Sequence, residues 1–175
     1  MKKKLFLWQL FGFIFTCVLG TLLHFLYEWS GENVFVSVFS AVNESTWEHM
    51  KILFVPMFAF SIAEKHFAKI DFKNYWCVKL RGIFLGISAI PIMFYCYNGI
   101  IGQSKAWLNI AIFYISAALA YAYEYKKFKK ENVCCFSQNM ALAFVCLIAF
   151  AFFVFTFVQP PFAIFRDPVT QTFGA

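Results

Sequence analysis

The sequence predicts an all-α integral membrane protein, a bundle of five transmembrane helices forming one domain over residues 1–175. Of its 175 residues, 62% are hydrophobic and 14% are charged, whereas soluble domains contain about 45–50% apolar and about 25% charged residues. Phenylalanine alone occurs 26 times. A soluble domain of this length has too little interior to cover so many phenylalanines, but a lipid bilayer accepts them.

Five apolar stretches supply the predicted spans, since a helix crosses a bilayer with about 20 residues. The first follows three lysines and is longer than the apolar core of a signal peptide, about 7–15 residues, so we expect it to be retained. The second begins at a predicted capping box, in which Ser45 accepts the N–H of Glu48 and the Glu48 carboxylate reaches back to the N–H of Ser45. The predicted spans cover about residues 5–27, 46–66, 80–100, 106–123 and 139–158.

The distribution of basic residues predicts the orientation of these spans. With five spans, 12 of the 15 lysines and arginines fall on the side of the N-terminus. Cytoplasmic loops are enriched in Lys and Arg, so the N-terminus is predicted to be cytoplasmic and the C-terminus outside. The net charge of +6 is then a consequence of topology, and the lipid bilayer rather than nucleic acid is the expected partner.

The interval Tyr27–Lys51 is predicted to lie outside, between the first and second spans. It contains four of the nine acidic residues. Its middle part, Val34–Val42, is apolar and free of charge, but nine residues are too few to span a bilayer as a helix. We expect a partly buried, ordered outer segment, which lies flat in the interface or enters the membrane where protein covers its backbone.

Histidines and carboxylates concentrate at this predicted outer boundary. His and carboxylate side chains bind zinc and other divalent metals, and they also act as general acids and bases. The sequence therefore indicates a divalent metal such as zinc as the candidate cofactor. The candidate metal ligands are His24, Glu28 and His49, and the candidate catalytic residues are Glu44, Glu48 and Asp167.

Each of these residues also has a simpler structural interpretation. Glu48 fits a helix cap, His24 fits an interfacial histidine bonded to backbone, and Glu28 fits the end of a helix that stops at glycine. Asp167 precedes Pro168 in a predicted turn that folds the C-terminus back over the bundle.

Three motifs in the chain resemble a known family. They are WSG at Trp29–Gly31, VNESTWEHMK at Val42–Lys51 and DPVTQTFG at Asp167–Gly174. Together they are similar to a family of small bacterial multi-pass membrane proteins of unknown function, over nearly the whole chain. The resemblance implies a bacterial inner-membrane protein and brings no activity with it. Gln171 and Phe173 depart from the glycine and tyrosine of that pattern.

Several classes of function stay open. The favoured one is a membrane-embedded, metal-dependent hydrolase or transferase acting on an envelope or lipid-linked substrate. The alternative is a transporter or binding subunit for a small ligand, in which kinks at Pro56 and Pro91 open a path. A structural partner in a homo-oligomer or membrane complex is the third. The predicted spans contain no mid-membrane carboxylate or lysine, which argues against an ion-coupled carrier.

Overall fold

A computed structural model describes residues 2–68, 73–129 and 137–174 of the chain. This part of the chain is helical and contains no sheet; one isolated bridge joins Arg166 to Phe173 in the tail. A 3-10 turn at Ala163–Phe165 follows the last helix. The helices are α1 (Lys2–Trp29), α2 (Val34–Ser37), α3 (Thr46–Phe67), α4 (Tyr75–Ile101), α5 (Ala106–Lys127) and α6 (Gln138–Phe157).

Four of these helices are long and apolar enough to cross a membrane: α1 from Lys3 onward, α4, α5 and α6. The all-helical class and the apolar character of the bundle are therefore confirmed. The second predicted span does form a helix, α3, but it is not among the four. Its 22 residues include Glu48, Lys51, Glu64 and Lys65, which lower its hydropathy.

Helix α3 tolerates these charges because it lies in the interior of the bundle. It packs against α1 and α4 along most of its length, and against α6 and the tail near its start. Twelve of its 22 residues are buried, among them Ile52, Leu53, Phe54, Met57 and Phe60. Neighbouring helices cover Glu48, Lys51 and Glu64, whereas Lys65 is exposed at the end of the helix.

The outer helices show the opposite arrangement, with apolar side chains directed outward. On α1, Phe11 and Val18 are each 57% exposed, while Gln9 and Thr16 are buried. A bundle with an apolar exterior and polar groups in its interior is what a lipid environment favours, because polar groups facing lipid are costly.

The segment between α1 and α3 is partly buried, as predicted. Helix α1 ends at Trp29, and Gly31 follows with a positive φ of 69° that suits glycine at a helix stop. Beyond α2, Ser40 is fully buried and the Ala41 N–H donates to the Leu23 carbonyl at 3.2 Å. Phe35, in contrast, is 84% exposed.

The start of α3 confirms one half of the predicted capping box and corrects the other. The Ser45 hydroxyl accepts the Glu48 N–H at 3.3 Å. The Glu48 carboxylate does not return to the N–H of Ser45, which instead donates to Asn43 Oδ1. Glu48 Oε2 accepts the N–H of Val42 at 3.0 Å and lies 2.6 Å from Lys51 Nζ. The buried ammonium group holds Glu48 on the inner side of the helix and away from its cap.

Candidate metal centre

Two histidines and one glutamate meet at the end of the bundle where α1 finishes and α3 begins. His24 Nε2 lies 3.4 Å from Glu44 Oε1, and His49 Nε2 lies 3.7 Å from Glu44 Oε2. The two imidazole rings are 5.3 Å apart, centroid to centroid. One potential ligand atom from each residue falls within 4.8 Å of the other two.

Three separate elements bring these side chains together. His24 lies near the end of α1, His49 lies in the first turn of α3, and Glu44 precedes the Ser45 cap. The two helices pack side by side, and the bond between Ala41 and Leu23 ties the connecting segment to α1. The cluster is thus a product of tertiary packing and not of one local motif.

Hydrogen bonds orient one of the three side chains and hold the backbone of a second residue. His49 Nδ1 lies 2.9 Å from the Ser45 carbonyl, which can only accept, so Nδ1 donates this bond and Nε2 faces the cluster. The backbone N–H of Glu44 donates to Asp167 Oδ2 at 3.2 Å. These contacts resemble the outer-shell hydrogen bonds that fix metal ligands in proteins.

His24 is held differently. Its Nδ1 is buried and has no hydrogen-bond partner among the described residues. Its polar contact is therefore with Glu44, and the simpler interpretation of His24 as a histidine bonded to backbone does not describe it. The Glu44 side chain is 45% exposed, whereas those of His24 and His49 are 23% and 14% exposed.

A cavity of about 190 Å³ adjoins the two histidines, between α1, α3 and α5. Gly20 lines it, and an added Cβ at this position would come within 2.4 Å of Phe113. The cavity is large enough for several water molecules or a small chemical group beside the cluster. Its polar lining residues are Thr21, His24, His49, Asn109 and Tyr114.

The other three predicted site residues lie in different surroundings. Glu28 is exposed on the last turn of α1 and does not join the cluster. Glu48 is fully buried in its ion pair with Lys51, whose Nζ also donates to the Ser37 carbonyl and to Thr156 Oγ1. Asp167 is 4% exposed and accepts backbone N–H groups with both oxygens.

The tail covers this end of the bundle, as predicted. Asp167 Oδ1 accepts the N–H of Val169 at 2.6 Å, which closes the turn that the Asp-Pro pair predicts. Asn43 Nδ2 donates to the Gly174 carbonyl at 2.9 Å, and Thr46 Oγ1 donates to the Ile164 carbonyl at 3.0 Å. The tail thereby fixes the loop that carries Glu44.

All the elements described above fall within one family match: the family of unknown function DUF6512 matches residues 1–175. The chain belongs to the DUF6512 family. The resemblance to a family of unknown function inferred from the three motifs is thereby confirmed. No curated protein and no solved structure matched this DUF6512 chain.

Sequence reasoning missed a second polar cluster in this DUF6512 chain, at the opposite end of the bundle. The predicted span bounds put Glu64 at the end of the second span and Lys79 just before the third, yet each is 1% exposed. Glu124 is fully buried beside them. Helical spacing could have identified this cluster. Glu64 and Glu124 each follow a buried apolar residue, Phe60 and Ala120, by one helical turn, and so lie on the same buried face of the helix.

Proposed function

We propose that the chain is a membrane protein in which His24, Glu44 and His49 bind a divalent metal of the zinc type. The observation that carries the proposal is the convergence of three ligand atoms within 4.8 Å from α1, α3 and the loop between them. Three protein ligands with an open fourth position are typical of catalytic zinc, while structural sites have four protein ligands.

The spacing of the ligand atoms suits such an ion. Ligand atoms about 2.0–2.2 Å from a tetrahedral zinc ion lie about 3.3–3.6 Å from one another. The two nitrogen-to-oxygen distances in the cluster are 3.4 and 3.7 Å. These distances end on different oxygens of Glu44, and with one ligand atom per residue the separations reach 4.8 Å. Binding therefore needs the side chains to close by about 1 Å at the widest pair.

The chemistry proposed for this site is hydrolysis or group transfer on an envelope or lipid-linked substrate. A metal bound here would supply an activated water or polarise a substrate oxygen. The adjoining cavity gives room for the reacting group, and its lining is largely apolar. When one oxygen of Glu44 binds the metal, its other oxygen is placed to accept a proton. Glu48 and Asp167 act as positioning residues, through Lys51 and through the Glu44 N–H.

We further propose the five-span topology, with α3 as the second span and the metal centre on the outer side of a bacterial inner membrane. Charge supports this orientation more strongly once the buried lysines are set aside. Without Lys51 and Lys79, 11 of the 13 remaining basic residues lie on the N-terminal side, and Lys105 and Arg166 lie on the other. The site then faces the compartment of envelope substrates.

Metal content of the full-length protein tests the metal centre. The protein is purified in detergent, loaded with Zn²⁺, dialysed and analysed by mass spectrometry for metal per chain. We expect a single equivalent in the wild type, loss of it in His24→Ala and His49→Ala, and retention in His66→Ala, a matched exposed histidine at the other end of α3.

Equal metal content in the wild type and both histidine variants would overturn the proposal, as would a wild type that binds none. Glu44→Gln provides a variant in the loop that leaves helix packing intact. Loading with Co²⁺ gives a second readout, because its visible absorption reports tetrahedral coordination by nitrogen and oxygen ligands. A spectrum unchanged by Glu44→Gln would remove Glu44 from the ligand set.

A further inference from the structure

A second group of ionisable side chains is enclosed at the opposite end of the bundle from the metal centre. Lys79 Nζ lies 2.6 Å from Glu64 Oε2 and 2.6 Å from Glu124 Oε2. The three residues come from α4, α3 and α5 and are at most 1% exposed. Ionisable groups enclosed within a membrane bundle are costly, and they are retained where they bind ions or protons.

The charges of this triad do not balance. Two carboxylates and one ammonium group leave a net negative charge on side chains that are at most 1% exposed. Desolvation makes such an uncompensated charge unfavourable by several kcal/mol. Either a further positive charge accompanies the triad or one carboxyl group is neutral.

The hydrogen bonds around the triad also indicate a missing proton, because some buried acceptors have no donor. Glu64 accepts from Gln9 Nε2 at 2.9 Å and from the Tyr75 hydroxyl at 3.1 Å. Two buried acceptor atoms have no donor among the described residues, Glu124 Oε1 and the Oε1 of Gln9. Gln9 is itself 97% buried, with its amide directed at the triad. The cluster therefore has more acceptors than donors, and an added proton supplies both the missing donor and the missing charge.

Among the described residues, no other charged side chain forms an ion pair with the triad. On α4 and α5, the neighbouring titratable groups are the phenols of Tyr75 and Tyr121. Helix α1 contributes the neutral Gln9, and the thiol of Cys17 faces Tyr121. From α3, Lys65 is exposed, and its Nζ lies 5.1 Å from the centroid of the Tyr75 ring.

We propose that Glu64, Lys79 and Glu124 form a proton-binding site that holds one exchangeable proton on its two carboxyl groups. Glu124 Oε1, the carboxyl oxygen without a donor among the described residues, is the atom open to it. The protonated triad is neutral, with one carboxylate paired to Lys79 and one carboxylic acid beside it. No oxidant, reductant or other ligand is required, because the proton is taken from and returned to water. The site supplies an acid–base group inside the bundle that is independent of the metal centre.

Infrared spectroscopy of the full-length protein tests the proposal directly. The protein is held in a maltoside detergent, which has no carbonyl group, and glutamate is labelled with ¹³C for assignment. At neutral pH we expect the carbonyl stretch of a protonated glutamic acid, shifted on transfer to D₂O because the proton exchanges. Absence of the band in the wild type, or a band insensitive to D₂O, would overturn the proposal.

Two substitutions test whether protonation depends on the presence of both carboxyl groups or only on the burial of one of them. Glu124→Gln and Glu64→Gln each leave one carboxylate opposite Lys79, so we expect the band to disappear in both variants. Glu28→Gln, at an exposed position, retains it. Persistence of the band in either triad variant would show that protonation does not depend on the shared charge and would overturn the proposal. Because Gln has the shape of protonated Glu, both variants keep the packing of the triad.

Discussion

Asp167 Oδ2 accepts a hydrogen bond from the backbone N–H of Glu44, although 123 positions separate the two residues in the chain. The other oxygen, Oδ1, accepts the N–H groups of Val169 and Thr170. One buried carboxylate thus closes the tail turn and anchors the loop that presents Glu44 to the histidines. The geometry of the candidate metal centre depends on the C-terminal tail through this contact.

Replacing this carboxylate should weaken metal binding without touching a ligand. In Asp167→Asn, an NH₂ group takes the place of one oxygen and confronts a backbone N–H, so Glu44 or the tail turn loses its acceptor. We expect the zinc affinity to fall about 10- to 100-fold, as for other outer-shell substitutions. Competition with a chromophoric chelator measures this change.

Glu28→Gln is the control for Asp167→Asn, since it removes a carboxylate from the same end of the molecule outside the cluster. Its zinc affinity should match that of the wild type. An Asp167→Asn protein with unchanged affinity would show that the tail does not orient Glu44.

A second prediction concerns the fully buried pair of Glu48 and Lys51. Their charged atoms lie 2.6 Å apart, and all three Lys51 protons have acceptors in Glu48, Ser37 and Thr156. Lys51→Met leaves the Glu48 carboxylate buried without its cation, which costs about 3–5 kcal/mol. Unfolding in mixed micelles of increasing SDS content measures the loss, with the exposed Lys73→Met as the control.

The double variant Glu48→Gln, Lys51→Met tests whether the loss comes from the unpaired charge. Neutralising Glu48 removes that charge, so the double variant should be more stable than Lys51→Met alone. If the two are equally stable, the contribution of Lys51 comes from its bonds to Ser37 and Thr156.

Hydropathy and capping predicted most of the helical layout, and residue type alone explains why. The apolar runs that became α1, α4, α5 and α6 are long enough to be recognised without knowing which face is buried. The Ser45 cap was predictable because its hydrogen bond joins residues three positions apart. The turn at Asp167 was predictable for the same reason.

What the sequence did not reveal depends on contacts between distant segments. Lys51 and Lys79 were counted as surface charges, because hydropathy records the type of a residue and not the side of the helix it occupies. Glu44 was predicted as a catalytic carboxylate, and only the packing of α1 on α3 places it between His24 and His49. The bond from Asp167 to Glu44 likewise has no local signal.

The last prediction concerns Gly82, where α4 passes close to the buried triad. A Cβ at this position would lie 2.5 Å from both Cγ and Oε1 of Glu124, a distance that side chains essentially never show. We therefore expect Gly82→Ala to destabilise the protein by about 1–3 kcal/mol, the usual cost of an overpacked interior. SDS-induced unfolding of the purified protein measures it.

Gly99 is the matched control on the same helix, because a Cβ there meets nothing within 4 Å. Gly99→Ala should be neutral or stabilising by about 0.5–1 kcal/mol, since alanine has the higher helix propensity. The effect of Gly82→Ala should be the same in a Glu124→Gln background, because glutamine has the shape of glutamate and keeps the steric clash. A smaller effect in that background would mean that Gly82 matters through the charge of Glu124 and not through the space it leaves.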